Sequence, residues 1–231
     1  MKSLSLEEIL DTNVIGLVKG TKDQSSSFEY PYIKMNNITN EGKLDVKDLV
    51  FVEATNDEVK KYTVTKGDLL FNTRNSAKLV GKSCVYDLDT DSLYNNNLMR
   101  IRLKDGVLGN FIQYQFYSKK VRAQLKKFIN STTNVAAIYY KNLKSLELKI
   151  PPLDQQKKIA AILDAADAYR QKTKALIEKY DELTQSLFLD MFGDPVRNPK
   201  GWEFKSLISL TTQKPDNGFF AKKDKYRENG T

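Results

Sequence analysis

The longest regular pattern of hydrophobic and polar positions runs from Pro151 to Met191, and it predicts one long helix. Side chains suited to a buried seam recur there at steps of three and four residues, at Ile159, Ile162, Ala166, Tyr169, Thr173, Leu176, Tyr180, Leu183 and Leu187. This spacing is typical of the seam of a coiled coil. A helix from Asp154 to Met191 would be about 57 Å long at 1.5 Å per residue, and Gly193 and Pro195 are suited to end it.

Before this helix the pattern is that of short strands followed by a shorter helix. Apolar runs bounded by turn residues predict strands within 30–38, 48–54, 66–71 and 95–103. From Asn110 the period changes to three and four, which predicts a helix that is capped by Asn110 and ends near Phe128. Since strands dominate the first part of the chain, we predict an α+β fold. The predicted organisation is a globular domain at 1–150, the long helix at 151–193 and a linker or tail at 194–231.

Charge is distributed unevenly along the chain, whose net charge is +8. Residues 1–153 carry 23 basic and 17 acidic side chains, whereas residues 154–191 carry 6 and 7. Within the first part, residues 111–149 hold 8 basic side chains against Glu147 alone. Charge alone supports two interpretations about equally: a surface that meets a polyanion such as nucleic acid, or a solvated basic face without a partner.

The composition excludes most catalytic chemistries. The chain has no histidine, which excludes Ser–His–Asp triads, Cys–His pairs and His-ligated zinc. Its single cysteine, Cys84, lies in an apolar context and is expected to be a buried thiol in a cytoplasmic protein. No glycine-rich phosphate loop occurs, and no apolar run approaches the roughly 20 residues of a membrane span. We therefore expect no catalytic residue, no metal site and no cofactor on this chain, and no membrane partner.

Two polar segments of the predicted domain have the composition of a surface that contacts nucleic acid. Arginine, asparagine, serine and lysine side chains surround Gly81 in residues 72–82, and such side chains can contact phosphates and base edges. Residues 130–141 open with short hydroxyl and amide side chains beside the basic segment. The three asparagines at 95–97 have two interpretations, as turn formers or as residues that read base edges.

The sequence around the start of the long helix resembles a known family. The segment IPPLDQQKKIAAILD is followed by the helix and then by FGDPVRNPKGWE, as in the specificity (S) subunits of type I restriction–modification systems. The two prolines, Gln156, Ile159 and Ala160 occupy the positions that the family's motif expects. KGDLLF and NLKSLELKIPPL also match, so the resemblance covers essentially the whole chain. Residues 205–210 parallel residues 2–6, and we expect a second recognition domain to start there.

The resemblance implies a subunit that recognises DNA without catalysis. Its globular domain would bind the major groove of double-stranded DNA and read one half of a bipartite target. The long helix would pair with a second S-subunit helix, set the distance between half-sites and bind methyltransferase (M) subunits, which carry S-adenosylmethionine and methylate adenine. A restriction (R) subunit could join for ATP-dependent cleavage. Because the chain holds one recognition domain, self-association through the helix is also expected.

The resemblance places DNA recognition in the loops around 72–82 and 130–141. The candidate DNA-binding residues are Arg74, Asn75, Ser76, Lys78, Lys82, Thr132, Thr133, Asn134, Tyr139 and Lys141. Arg74 is the candidate for a bidentate contact with guanine, and the lysines are candidates for phosphate contacts. The candidate partner interface on the helix comprises Ile159, Ile162, Tyr169, Leu176, Tyr180, Leu183 and Leu187.

Two other classes of protein are compatible with the same residues. A scaffold or dimerisation protein would use the coiled coil as its function and carry the basic domain incidentally, and it would show no sequence-dependent DNA binding. An enzyme, for example a detached methyltransferase recognition domain with residual activity, would bind a cofactor by itself.

Overall fold

The computed structural model describes residues 2–132, 135–212 and 218 of the chain. Its strands are β1 (Lys2–Ser5), β2 (Leu10–Ile15), β3 (Tyr30–Ile33), β4 (Val50–Val52), β5 (Leu69–Asn72), β6 (Arg74–Asn75), β7 (Ser83–Val85), β8 (Leu93–Tyr94), β9 (Leu98–Leu103), β10 (Asn130–Ser131), β11 (Ala136–Ala137) and β12 (Glu147–Ile150). Its α-helices are α1 (Leu6–Ile9), α2 (Asn56–Tyr62), α3 (Gly109–Tyr117), α4 (Lys119–Lys127), α5 (Tyr140–Leu143) and α6 (Leu153–Phe192). This mixture of helices and mostly antiparallel sheets confirms the predicted α+β fold.

The core lies on both faces of an antiparallel sheet with the strand order β2-β9-β5-β7. Every residue of β5 is buried, and successive side chains of a strand point to opposite faces. Leu69 and Phe71 belong to a cluster with residues of α3 and α4, in which the rings of Phe71 and Phe116 meet edge to face at 5.8 Å. Leu70 and Cys84 belong to the cluster on the other face. Burial on both faces explains why this strand is apolar from Leu69 to Phe71.

Three smaller sheets complete the domain. β3 pairs antiparallel with β4 and parallel with β8. β1 pairs antiparallel with β12, with Lys2 opposite Ile150, so the start of the chain lies beside the strand that leads into α6. The third sheet has the order β10-β11-β6. It joins the two polar segments that the sequence marks as candidates for DNA contact.

The helix predicted between Asn110 and Phe128 is two helices, and Asn110 does not cap it. Leu108 precedes α3, whose first residue is Gly109. Ser118 has an extended backbone and separates α3 from α4. Its hydroxyl oxygen accepts a hydrogen bond from the Val121 amide at 3.3 Å, which caps α4. The apolar periodicity continues across the break, and for this reason the pattern alone indicated one helix.

The long helix is confirmed. α6 contains 40 residues, which corresponds to about 60 Å at 1.5 Å per residue. Gly193 ends it with φ 77° and donates its amide hydrogen to the Leu189 carbonyl at 2.8 Å. The chain divides into two compact units, Met1–Tyr169 and Arg170–Thr231, and the division falls inside α6. Among the described residues, no helix is both long and apolar enough to cross a membrane.

Residues 205–210 resemble residues 2–6 in sequence but differ from them in structure. The early segment forms β1 against β12, whereas Leu207–Leu210 forms a 3-10 turn with exposed apolar side chains. Just before this turn, the Trp202 indole N–H donates to the Phe192 carbonyl at 2.7 Å. The KSL pattern forms a strand at residues 2–5, where β12 is its partner strand. The expected second recognition domain stays a prediction.

Candidate nucleic-acid interface

The two predicted polar segments meet in the sheet β10-β11-β6. In this sheet Arg74 lies opposite Ala137 and Asn75 lies opposite Ala136. β11 in turn pairs with β10, which opens the second segment. The Ile138 amide also donates to the Thr73 carbonyl at 2.9 Å. Side chains that are some sixty residues apart in sequence therefore share one small sheet.

Arg74 is the basic residue of the strands of this sheet, and its side chain is accessible to a ligand. Its side chain is exposed, and its guanidinium has no hydrogen-bond or ion-pair partner among the described residues. The backbone beneath it is held, because the Arg74 amide donates to the Asn72 Oδ1 at 3.2 Å. Asn75 is half-buried and accepts a hydrogen bond from the Ser76 amide at 2.8 Å, so it shapes the turn. The five donors of the guanidinium are left for a ligand.

The two lysines of the first segment differ in their surroundings. Lys78 is exposed, as a phosphate contact requires. Lys82 instead directs its ammonium group to the Ile38 carbonyl. Burial lowers the pKa of the Lys82 ammonium group. In this structure Lys82 therefore serves the fold, while Lys78 faces solvent.

The second segment presents hydrogen bonds between Thr132 and Val135 and an exposed aromatic ring. The Thr132 amide and hydroxyl both donate to the Val135 carbonyl, at 2.9 and 3.2 Å. Thr133 and Asn134, also candidates for DNA contact, lie outside the described residues. Tyr139 is 48% exposed, a high value for an aromatic ring, and directly precedes α5. Lys141 is exposed on α5.

A cavity of about 300 Å³ lies at this surface. We call it the Arg74 cavity. The residues that line it are Ile15, Thr73, Arg74, Asn96, Ala137, Ile138, Tyr139 and Tyr140. Sequence reasoning named Arg74 and Tyr139 but missed Ile15. It left Asn96 open as one of three asparagines that either form a turn or read base edges. No local pattern could identify Ile15, since a strand-end isoleucine is ordinary until its surroundings are known.

The basic segment that follows α3 is mostly exposed. On α4 the exposed lysines are Lys119, Lys120, Lys126 and Lys127. Arg122 is different, because its guanidinium donates to the Gly81 carbonyl at 3.2 Å and lies 4.4 Å from the centre of the Tyr117 ring. α4 leads within three residues to β10, so its last lysines are close in sequence to the sheet that carries Arg74.

The first turns of α6 are held to the domain by the residues of the family motif. Gln156 is buried and makes three hydrogen bonds of 2.9 Å each, from the Leu108 amide to its Oε1 and from its Nε2 to the carbonyls of Gly106 and Pro151. Ala160 is buried in the core cluster, and Ile159 packs against the same cluster. The motif therefore has a structural role, as the anchor of the helix.

Two polar contacts continue this attachment along the helix. The Tyr114 hydroxyl donates to the Asp164 carboxylate at 2.6 Å, and the Lys43 ammonium lies 3.0 Å from Asp167. Burial raises the pKa of the Tyr114 hydroxyl, and this hydrogen bond raises it further. Both contacts lie within the first compact unit.

Most of the candidate partner interface is exposed. Ile159 contacts the domain's own core, as described above, whereas each of the other candidates is more than half exposed: Ile162, Tyr169, Leu176, Tyr180, Leu183 and Leu187. Surface helices normally bury an apolar stripe of this kind. Cys84, in contrast, is completely buried, and burial raises the pKa of its thiol, which disfavours a reactive thiolate.

Known proteins with similar sequences are specificity subunits. The chain is 26% identical over 198 residues to the EcoKI type I restriction enzyme specificity subunit of Escherichia coli K12, a match that covers 83% of this chain and 42% of that protein. It is 27% identical over 201 residues to the putative MjaX specificity subunit of Methanocaldococcus jannaschii, covering 86% and 47%. The chain thus spans less than half the length of these relatives.

Solved structures show the same fold. A chain from a structure of the type I R-M system, concerned with complex assembly and conformational transition, matches with a TM-score of 0.59 at 20% identity, covering 80% of this chain and 43% of that one. The HsdS subunit from Thermoanaerobacter tengcongensis matches with a TM-score of 0.54 at 20% identity, covering 77% and 39%. The family model described as "Type I restriction modification DNA specificity domain" matches residues 1–180. This chain, matched over most of its length, belongs to that family.

Proposed function

We propose that this chain reads DNA sequence for a type I restriction–modification complex and has no catalytic activity of its own. Family membership supports the proposal, and one observation carries it. Two distant polar segments converge on the sheet β10-β11-β6 and present an exposed Arg74 beside a cavity and the exposed Tyr139 ring. A guanidinium without a partner among the described residues is suited to a bidentate contact with guanine in the major groove.

Phosphate contacts would supply most of the affinity. The exposed candidates around the sheet are Lys78, Lys126, Lys127 and Lys141. Each phosphate that such a lysine neutralises makes binding steeper in salt, by about 0.9 in the slope of log K against log salt concentration. In this scheme the lysines position the domain, while Arg74 and its neighbours choose the bases.

The long helix supplies the contacts with partners. Its exposed seam, Leu176, Tyr180, Leu183 and Leu187, follows coiled-coil spacing and suits a second helix of the same kind. A second copy of this chain would complete that seam and set the distance between two half-sites. The M and R subunits would bring S-adenosylmethionine, ATP and the catalytic chemistry, in the cytoplasm.

Selection from a random duplex library tests DNA reading directly. The purified chain is expected to enrich one short motif, and Arg74→Ala is expected to erase the preference for guanine at one position of it. A folded chain that enriches no motif would contradict the proposal and favour a scaffold.

Co-expression with an M subunit from the same source, followed by mapping of methylated adenines, tests the complex. We expect methylation of a split motif above the level that the M subunit gives alone.

Sedimentation equilibrium tests the helix. The chain is expected to be dimeric at tens of micromolar, and Leu183→Asp is expected to make it monomeric, because a charge in an apolar seam is costly. Lys174→Asp, on the same exposed helix but on the face opposite the seam, is the matched control. A wild-type monomer at this concentration would contradict self-association and leave DNA reading untouched.

A further inference from the structure

The Arg74 cavity has walls of two chemical kinds. Ile15, Ala137 and Ile138 supply apolar surface, and the Tyr139 and Tyr140 rings extend it. Ile15 is 46% exposed, which is high for a side chain at the end of a sheet strand. Arg74 and Asn96 supply the charged and the amide side chains of the lining. An apolar surface flanked by a few polar groups is the usual form of a recognition pocket.

Backbone contacts build this cavity from four separate segments. Thr73 donates its amide and its hydroxyl to the Asn97 carbonyl, at 2.9 and 3.0 Å. The Asn96 amide donates to the Leu17 carbonyl at 3.1 Å. Gly16 allows this approach, since a Cβ there would lie 2.3 Å from the Tyr94 carbonyl oxygen. The walls are therefore held by main-chain hydrogen bonds, as a preorganised site requires.

The three asparagines beside the cavity have different roles. The Asn95 Oδ1 accepts a hydrogen bond from the Asn97 amide at 2.8 Å, and its Nδ2 lies 3.3 Å from the Tyr32 hydroxyl. Asn97 directs its amide nitrogen to the Met35 sulfur at 3.8 Å. Asn96 lines the cavity, and its side-chain amide has no hydrogen-bond partner among the described residues. Two asparagines form the turn, and the third is available to a ligand.

An A·T base pair matches this combination of groups. In the major groove adenine presents the N7 acceptor and the N6 donor, which an asparagine amide can bind together, and thymine presents the 5-methyl group. That methyl is the apolar group of the major groove, and the apolar wall can take it. Cytosine carries a hydrogen where thymine carries the methyl group, so it would leave the apolar wall without that contact.

We propose that the Arg74 cavity selects an A·T base pair beside the guanine that Arg74 contacts. Asn96 binds the adenine edge, while Ile15 and Tyr139 contact the thymine methyl group. Asn96 and Ile15 are then specificity-determining residues in addition to those that the sequence indicates. This inference rests on the proposed function, since it requires that the sheet β10-β11-β6 meets the major groove.

Modified bases test the proposal with the unaltered protein. Random duplex libraries are prepared with thymidine or deoxyuridine, which lacks only the methyl group, and with deoxyadenosine or 7-deaza-deoxyadenosine, which lacks the N7 acceptor. At one A·T position next to a guanine, we expect preference to fall about fourfold in the uracil library, the value of one buried methyl-sized group. We expect about a tenfold fall in the deaza library.

Two variants separate the walls of the cavity. Ile15→Ala should remove the sensitivity to uracil and keep the sensitivity to 7-deazaadenine, and Asn96→Ala should do the reverse. Val18→Ala is the matched control, because Val18 is a neighbouring exposed residue that does not line the cavity. Thermal unfolding of each variant checks that it is folded.

The outcomes distinguish this inference from the proposed function. If the unmodified library yields no motif, DNA reading itself is wrong. If a motif is enriched but its strength is equal in all libraries, DNA reading stands and the A·T assignment is wrong. Because the wild-type comparison needs no substitution, misfolding of a variant cannot obscure either result.

Discussion

The helix anchor around Gln156 and the Arg74 cavity are two polar regions of one domain, and they use their polar groups in opposite ways. At the anchor, both ends of the Gln156 amide are bonded to backbone groups, and the residue is 1% exposed. At the cavity, the side chains of Arg74 and Asn96 have no such partners among the described residues. Polar groups bonded internally stabilise a fold, whereas unbonded groups on a built surface are available to a ligand.

We therefore expect different residues to serve stability and DNA recognition. Removing a polar group at the anchor should weaken the fold and leave DNA preference intact. Removing one at the cavity should weaken DNA preference and leave the fold intact. Substitutions at Gln156 and Arg74 test the comparison directly, and a third at Lys78 extends it to the phosphate contacts, from the largest expected effect to the smallest.

Gln156→Ala should lower the free energy of unfolding by about 3 kcal/mol, because it leaves the Leu108 amide and the carbonyls of Gly106 and Pro151 without their partner. Urea denaturation measures the change. Gln155→Ala is the matched control, since Gln155 is exposed and should change stability by less than about 0.5 kcal/mol. Equal effects of the two substitutions would contradict the anchor.

Arg74→Ala should weaken binding to the selected motif by about 2 kcal/mol, roughly thirtyfold, because a bidentate contact with guanine is lost. The free energy of unfolding should stay within about 0.5 kcal/mol of wild type. Arg74→Lys should keep the charge but not the planar fork, so it should retain affinity for unrelated DNA and lose the guanine preference. Fluorescence anisotropy with motif and unrelated duplexes measures both. An equal loss of affinity for both duplexes would mean that Arg74 contacts phosphate and does not read a base.

Lys78→Ala should have the smallest effect, a loss of DNA affinity of less than about 1 kcal/mol, with the salt slope reduced by about 0.9. Lys82→Ala is the informative comparison. Lys82 donates to the Ile38 carbonyl, so its removal should lower stability instead of changing the salt slope. Anisotropy over a series of salt concentrations, with urea denaturation of both variants, measures these effects. A larger slope change for Lys82 than for Lys78 would reverse their assigned roles.

Several features were predictable because they depend on local pattern. The heptad spacing and the prolines predicted α6, and the apolar context of Cys84 predicted its burial. The break at Ser118 was missed because the apolar period passes through it and an extended serine leaves no mark on that period. The two polar segments were placed in one site by resemblance to the family, and their pairing through β11 supplies the geometry.

The sequence by itself determined the long helix α6, the burial of Cys84 and the family to which the motif at Pro151 belongs, because these follow from spacing and residue type. Only the tertiary structure decided which polar side chains are bonded internally. Gln156 finds two of its three partners 48 and 50 residues away, and Lys82 finds its partner 44 residues away. Asn96 differs from Asn95 and Asn97 only in what surrounds it. Hydrogen-bond satisfaction depends on groups brought together by folding, so one sequence position cannot reveal it.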